Sequence, residues 1–306
     1  MIAQGLWSAL HDGFMTEPSP VKKWKRLKLP VVLLGLCVVV FVMLRIFEHS
    51  QVYHPRRGLD QSGAVLGRAW EDVRFKAADG VNLSGWYFPA EDGSKRKEYV
   101  VLVCHGNGGN IGHRLDLYDA LLQTGAGVFA FDYRGYGLSQ GRPSERGTYA
   151  DAAAALKWLG DRGFAASRVI VLGESLGGGV ASELAAREPL AGLVLLSSFT
   201  NIPEIGAELF PWLPVRLISS IRYDTHSRLP GIRMPLLVMH SRNDELVGFH
   251  HAEANFRVAN EPKIFWELFG THNEPLHQPD HFLKGIEALL TRVEFSPEAS
   301  PVSARQ

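Results

Sequence analysis

The sequence predicts an α/β fold built on a mostly parallel sheet with helices on both faces. Three observations predict it. Short, continuously apolar runs at 100–103, 127–131, 169–172, 193–196, 236–239 and 264–268 alternate with helix-compatible stretches at 149–159, 180–187, 252–258 and 282–293. Strands that read as unbroken apolar runs are buried on both faces, the condition of a parallel sheet covered by its crossover helices. The third observation is Gly173-Glu174-Ser175-Leu176-Gly177, a tight turn set between the run at 169–172 and the helix that follows.

The elements follow from the N-terminus. Residues 1–28 read as a polar tail ending in Lys22, Lys23, Lys25, Arg26 and Lys28. The apolar run 29–44 makes about 24 Å of helix at ~1.5 Å per residue, and Ile46 and Phe47 extend it toward bilayer thickness while Arg45 snorkels. A cleaved signal peptide is disfavoured because Glu48-His49-Ser50-Gln51 offers no small-residue cleavage site, and a buried core helix because the run has no polar face. The expectation is one transmembrane anchor over 29–47. Basic residues concentrate before the span, with Arg56 and Arg57 beyond it, which puts the N-terminus in the cytoplasm and the rest of the chain on the opposite side.

Residues 48–67 read as a linker rich in Gly and Pro. Strand-like runs at 73–76 and 81–88 flank Ala78-Asp79-Gly80, a hairpin turn that adds an antiparallel edge to the sheet. The α/β domain spans 68–295. Its alternation breaks at about 199–232, where Phe199, Leu209, Phe210, Trp212, Leu213 and Leu217 are interrupted by Pro203, Pro211 and Pro214. Ligands of such sheets bind at the carboxyl ends of strands, where this insertion begins, so it is expected to cap a site there, with a connection packed on the sheet as the alternative. Residues 296–306 read as a flexible polar tail.

The 306 residues carry 32 basic and 32 acidic side chains. No basic stripe with interleaved aromatics is present, which speaks against nucleic-acid binding. Cys37 and Cys104 fall in an apolar helix and a strand and do not suggest a disulfide. No Cys/His spacing suggests zinc: His277 and His281 stand four apart but without the glutamate of a zinc-protease helix and with Pro279 between them. No metal and no cofactor are expected.

The chemistry centres on Ser175. Gly173 and Gly177 flank it where a sharp strand-to-helix turn leaves no room for a Cβ, and the turn exposes the serine beside a helix N-terminus. A serine hydroxyl needs a base, and the base needs a group that fixes its tautomer. Asp244 follows the run 236–239 and His272 follows 264–268, each on a loop after a strand and in the order this topology requires. Glu245 is a rival for the acid, and His277 and His281 for the base. The amide of Leu176 and that of Asn107, in the glycine-rich loop 105–110, are the expected oxyanion donors. That loop lacks the Lys-Ser or Lys-Thr of a phosphate loop.

Together, His105-Gly106-Asn107-Gly108-Gly109-Asn110, Asp132-Tyr133-Arg134-Gly135-Tyr136-Gly137-Leu138-Ser139, the Ser175 turn, Asp244 and Gly270-Thr271-His272 resemble the α/β-hydrolases in order and spacing over residues 68–292. The nearest likeness is to the membrane-anchored α/β-hydrolase domain-containing proteins. The resemblance implies the α/β-hydrolase fold and hydrolysis of an ester, thioester or lipid substrate through an acyl-enzyme, without a cofactor. A peptidase of the same fold and a non-catalytic hydrolase-fold binding protein are the alternatives. Oligomeric state, acyl chain length and leaving group are not legible. Residues 132–139 are expected to form a wall beside the site, and Glu174 to stand in the elbow's wall.

Overall fold

The computed structural model describes residues 20–295. The expected tail at 296–306 and residues 1–19 of the expected N-terminal tail lie outside them. The chain divides into two compact units, residues 1–49 and 50–306.

The first unit is dominated by helix α1 (Pro20–Val52), whose stretch from Pro30 has a mean hydropathy of 2.7 and is long and apolar enough to cross a membrane. Its apolar side chains, Val31 through Phe47, are exposed on all sides rather than gathered into one stripe, unlike a helix that packs one face on a core. The helix outruns the expected end at residue 47, and Arg45 and Glu48 pair at 2.9 Å, one turn apart.

In the second unit the short β1 (His54–Pro55) precedes the hairpin β2 (Glu71–Lys76) and β3 (Asn82–Phe88). Then come β4 (Val100–Cys104), the two-residue β5 (Gly108–Gly109), α2 (Leu115–Leu122), β6 (Gly127–Asp132) and α3 (Glu145–Asp161). Strand β7 (Val169–Glu174) leads into α4 (Leu176–Arg187), and β8 (Gly192–Leu196) into the short helices α5 (Ile202–Leu209), α6 (Val215–Ile218) and α7 (Thr225–Arg228). The chain closes with β9 (Leu236–Ser241), α8 (Phe249–Val258), β10 (Lys263–Leu268) and α9 (Pro279–Glu294).

Eight strands form one sheet in the order β10-β9-β8-β7-β4-β6-β3-β2. The pairings from β10 to β6 are parallel and those of β3 with β6 and with β2 antiparallel, as the hairpin at the edge predicts. Alternate strand residues face opposite cores. Leu102, Phe129, Val171, Leu195 and Val238 pack with Ala155 of α3, Val180 of α4 and Ala252 of α8. Val101, Val128, Leu172, Val194 and Met239 pack with Leu121 of α2 and with Phe282 and Leu289 of α9. This two-sided burial is why the strands read as unbroken apolar runs. Helix α2 was not foreseen; its Leu115, Leu117, Leu121 and Leu122 are buried on a helix only eight residues long, too short for its period to stand out.

Candidate active site

Ser175 follows the last residue of β7 and precedes α4 in a strained conformation, φ 50° and ψ −114°. Sterics around it enforce the turn: a Cβ on Gly177 would lie 1.9 Å from the Cys104 carbonyl oxygen, and one on Gly173 would lie 2.4 Å from that of Gly177. The Ser175 amide donates to the Leu196 carbonyl at 2.8 Å, and its carbonyl accepts from Ser198 Oγ at 2.9 Å. These bonds tie the turn to β8 and its loop. Leu176 is the first residue of α4, so its N–H has no partner within the helix.

His272 and Asp244 reach Ser175 from the ends of β10 and β9. His272 Nε2 stands 3.2 Å from Ser175 Oγ, and Nδ1 stands 2.8 and 3.0 Å from the Asp244 carboxylate oxygens. A carboxylate only accepts, so Nδ1 carries the proton and Nε2 is left to accept from the serine hydroxyl. Burial works to raise the pKa of Asp244, but hydrogen bonds from His240, His272 and the Val247 amide outweigh it and hold the carboxyl well below the usual range. The Asp244 side chain is fully buried. Glu245, the rival acid, instead accepts the His272 backbone N–H at 3.0 Å. Gly270 allows the loop to fold back over the sheet: its φ is +98°, and a Cβ there would lie 2.5 Å from the Glu274 carbonyl oxygen. His281 faces the Glu267 carbonyl oxygen at 2.9 Å, and His277 lines the cavity wall.

The loop after β4 lies opposite Ser175, and its geometry is fixed by its own first residue and by groups from elsewhere in the chain. His105 Nδ1 donates to the Gly106 carbonyl at 2.7 Å. That carbonyl shares a planar peptide with the Asn107 N–H, so fixing one fixes the other. Burial pushes the pKa of His105 down to about 3, which keeps the ring neutral. The Asn107 carbonyl accepts from the His54 amide at 3.1 Å and from Tyr136 Oη at 2.9 Å. Tyr133 Oη donates to the His105 carbonyl at 3.0 Å, and Asp132 Oδ1 accepts the Ile111 amide at 2.9 Å. Residues 132–139 therefore brace the loop from behind and contribute nothing to the cavity wall, a correction to the expectation. Glu174 bridges the two sides, accepting from Arg114 Nε at 3.0 Å and from the Gly106 amide at 3.4 Å. Burial works to raise its pKa, and the Arg114 charge and hydrogen bonds bring it below the ordinary value.

A cavity of about 620 Å³ is lined by Ser175, His272, Asn107, Glu174, Arg114 and Leu246 among others. The insertion expected to cap it contributes no lining residue. Phe199, Ile205, Tyr223 and Leu229 of that segment are buried in the core beside α3 and α4, while Trp212 (73% exposed) and Leu217 (86%) face outward. Its proline-broken apolar run therefore serves core packing and surface. The structure brings Ser175, Asp244, His272 and Asn107 to one cavity region, with Leu176 adjoining at the helix start. His105, Arg114 and the strap at 54–58 were missed. The strap lay in the stretch read as a linker, and no short-range pattern marks a segment whose role is to donate backbone N–H groups to a distant loop.

Comparison with known proteins places this geometry in context. The sequence profile of the α/β hydrolase fold matches residues 99–221. The chain is 39% identical to the uncharacterized protein Rv2307c of Mycobacterium tuberculosis, covering 81% of this chain and 89% of the relative. It is 32% identical to the alpha/beta hydrolase domain-containing protein WAV2 of Arabidopsis thaliana over 89% of this chain and 94% of the relative. The lysophosphatidylserine lipase ABHD12 of Danio rerio is 33% identical, with 70% of this chain and 59% of that protein aligned. Among solved structures, the Pyrococcus furiosus esterase Pf2001 superposes with a TM-score of 0.65 at 25% identity, covering 78% of this chain and 98% of the esterase.

Proposed function

Because the chain belongs to the α/β-hydrolase family, we propose that it is a membrane-anchored serine hydrolase of carboxylic esters or thioesters, working through an acyl-enzyme on Ser175. The observation that carries this reading is the run of short distances from Ser175 Oγ through His272 to Asp244. In the first half-reaction Ser175 Oγ bonds to the acyl carbon as His272 Nε2 takes its proton. The tetrahedral intermediate then collapses, breaking the bond to the leaving alkoxide or thiolate, which receives that proton. Water repeats the sequence to release the acid. Asp244, held as a carboxylate, keeps His272 in the correct tautomer and stabilises the imidazolium. The amides of Asn107 and Leu176 receive the developing oxyanion.

The cavity has charged walls at Arg114 and Glu174 and apolar ones at Leu117, Leu246 and Leu276. Such a site suits an acyl ester with a polar leaving group, and the Danio rerio relative, a lysophosphatidylserine lipase, favours a lipid-type ester. Helix α1 is read as an uncleaved anchor with its basic N-terminal end in the cytoplasm and the hydrolase domain on the opposite side.

The test is labelling with a fluorophosphonate, followed by p-nitrophenyl esters and thioesters of increasing chain length beside peptide substrates. The expected result is labelling that disappears in Ser175→Ala and ester turnover above peptide turnover. Faster peptide cleavage would make it a peptidase, and absent labelling would make it a binding protein. Protease protection in sealed vesicles checks orientation; digestion of the C-terminal domain from the cytoplasmic side would reverse it.

A further inference from the structure

Outside the Ser175 cavity, Glu208 in the last turn of α5 meets His250 and His251 in the first turn of α8. Each offers one ligand atom, and the three atoms lie within 4.8 Å of one another. His250 Nε2 is 2.9 Å and His251 Nε2 3.4 Å from the same oxygen, Glu208 Oε1. The two rings stand with centroids 4.4 Å apart and planes at 31°, so both present to one carboxylate. His251 is 1% exposed, and its buried Nε2 has no hydrogen-bond partner.

Thr200 holds the ring's other nitrogen and can serve either tautomer. Its backbone N–H lies 3.3 Å and its hydroxyl oxygen 2.9 Å from His251 Nδ1. With the ring proton on Nε2, the Thr200 amide donates to Nδ1. A shift of the proton to Nδ1, where the Thr200 hydroxyl oxygen can accept it, frees Nε2 to ligate a cation in place of the proton that it otherwise directs at Glu208. Metal-bound histidines hold the other ring nitrogen in this way, as donor to a fixed oxygen.

We propose that Glu208, His250 and His251 form a binding site for a zinc-class divalent cation, with water completing its coordination. Two imidazoles and one carboxylate are a borderline donor set suited to zinc rather than to calcium or magnesium. Ligand atoms ~2.0–2.2 Å from a tetrahedral ion stand roughly 3.4 Å apart, so the present spacing closes by small rotations of Glu208 and His250. Both of those residues are exposed, which leaves an open path from solvent. The ion takes the place of the His250–Glu208 hydrogen bond and clamps the insertion to α8, the helix that follows the Asp244 loop. It touches no reacting atom. Adjacent histidines and a glutamate from a distant segment form no recognisable spacing, which is why the sequence shows no metal motif here.

The test uses the full chain in detergent, stripped with EDTA and titrated with Zn²⁺ by calorimetry and thermal melting, with Co²⁺ as the absorbing substitute. The expected result is one equivalent bound and a Tm raised on the order of 5 °C at zinc a hundredfold above Kd. Co²⁺ is expected to give visible bands of nitrogen and oxygen coordination. Glu208→Gln and His250→Ala, both at exposed positions, are expected to weaken binding at least tenfold and abolish the Tm shift while leaving the metal-free Tm and ester turnover unchanged. His277→Ala, at the cavity, is expected to retain both binding and shift. No Zn²⁺-dependent shift, or a shift that survives in Glu208→Gln and His250→Ala, would overturn the proposal.

Discussion

The two sides of the cavity are built by different means. On the Ser175 side, conformation is enforced by crowding that only glycine fits: Gly173 against the Gly177 carbonyl, and Gly177 against the Cys104 carbonyl of β4, with Ser175 taking a positive φ between them. On the opposite side, the loop at 105–110 is held by local bonds such as that of His105 to the Gly106 carbonyl and by several remote ones. Its carbonyls are gripped by His54, Tyr133 and Tyr136, and its Gly106 amide by Glu174. Crowding that only glycine fits leaves a motif, whereas tethering by side chains and backbone from elsewhere leaves a scatter of unremarkable residues. The same contrast predicts how each side fails: all at once when a reacting group is removed, and by degrees when one tether of several is cut.

The largest effect is expected on the nucleophile side. Ser175→Ala should lower ester turnover roughly 10⁴- to 10⁶-fold with the melting temperature little changed, leaving only what the oxyanion donors and binding supply. Initial rates against circular dichroism melts check it, and a comparable loss from cutting a single loop tether would erase the contrast. Asp244→Asn should cost roughly 10⁴-fold in kcat, because an amide favours the wrong His272 tautomer. Steady-state kinetics across pH test this, and a loss confined to KM would mean that Asp244 serves binding.

Tyr136→Phe is the matching experiment on the other side. It removes one of the two hydrogen bonds to the Asn107 carbonyl, and kcat should fall about tenfold or less with KM nearly constant, since one buried hydrogen bond is typically worth about 1 kcal/mol. A loss as large as that of Asp244→Asn would show that the loop has no redundancy.

The last effect is on stability rather than on turnover. Burial pushes the pKa of Asp132 up to about 7, against 3.8 for the free side chain. The folded chain therefore holds this proton more tightly than the unfolded one. The contribution is complete below about 3.8 and is lost as pH rises through about 7. Asp132→Asn should flatten that part of the stability profile while preserving an acceptor for the Ile111 amide. Denaturant titrations of both proteins from pH 5 to 8 check it, and identical slopes would contradict it.

How much of this was legible follows from the same contrast. The strands could be read because both faces of the sheet are buried, and Asp244 and His272 because each stands a few residues past a strand. Leu176 and Asn107 followed from where the elbow and the earlier loop had to lie. The Arg114–Glu174 pair and the strap were not legible, because each acts through a partner far along the chain, and no spacing marks His105, whose buried ring turns back on the adjacent Gly106 carbonyl. The choice between a cap and a connection packed on the sheet was not legible for a related reason: an apolar, proline-broken composition says that a segment packs, but not on what. Phe199 and Tyr223 went into the core, and Trp212 and Leu217 to the surface.

The central claim is that Ser175 carries the acyl group between the two half-reactions. Rapid quenching with acid during turnover of a slow ester, followed by mass spectrometry of the peptide containing Ser175, tests it directly. The account predicts an added acyl mass on Ser175 that builds up within the first turnover and is absent from Ser175→Ala. An adduct on another residue, or undiminished turnover by Ser175→Ala, would contradict it.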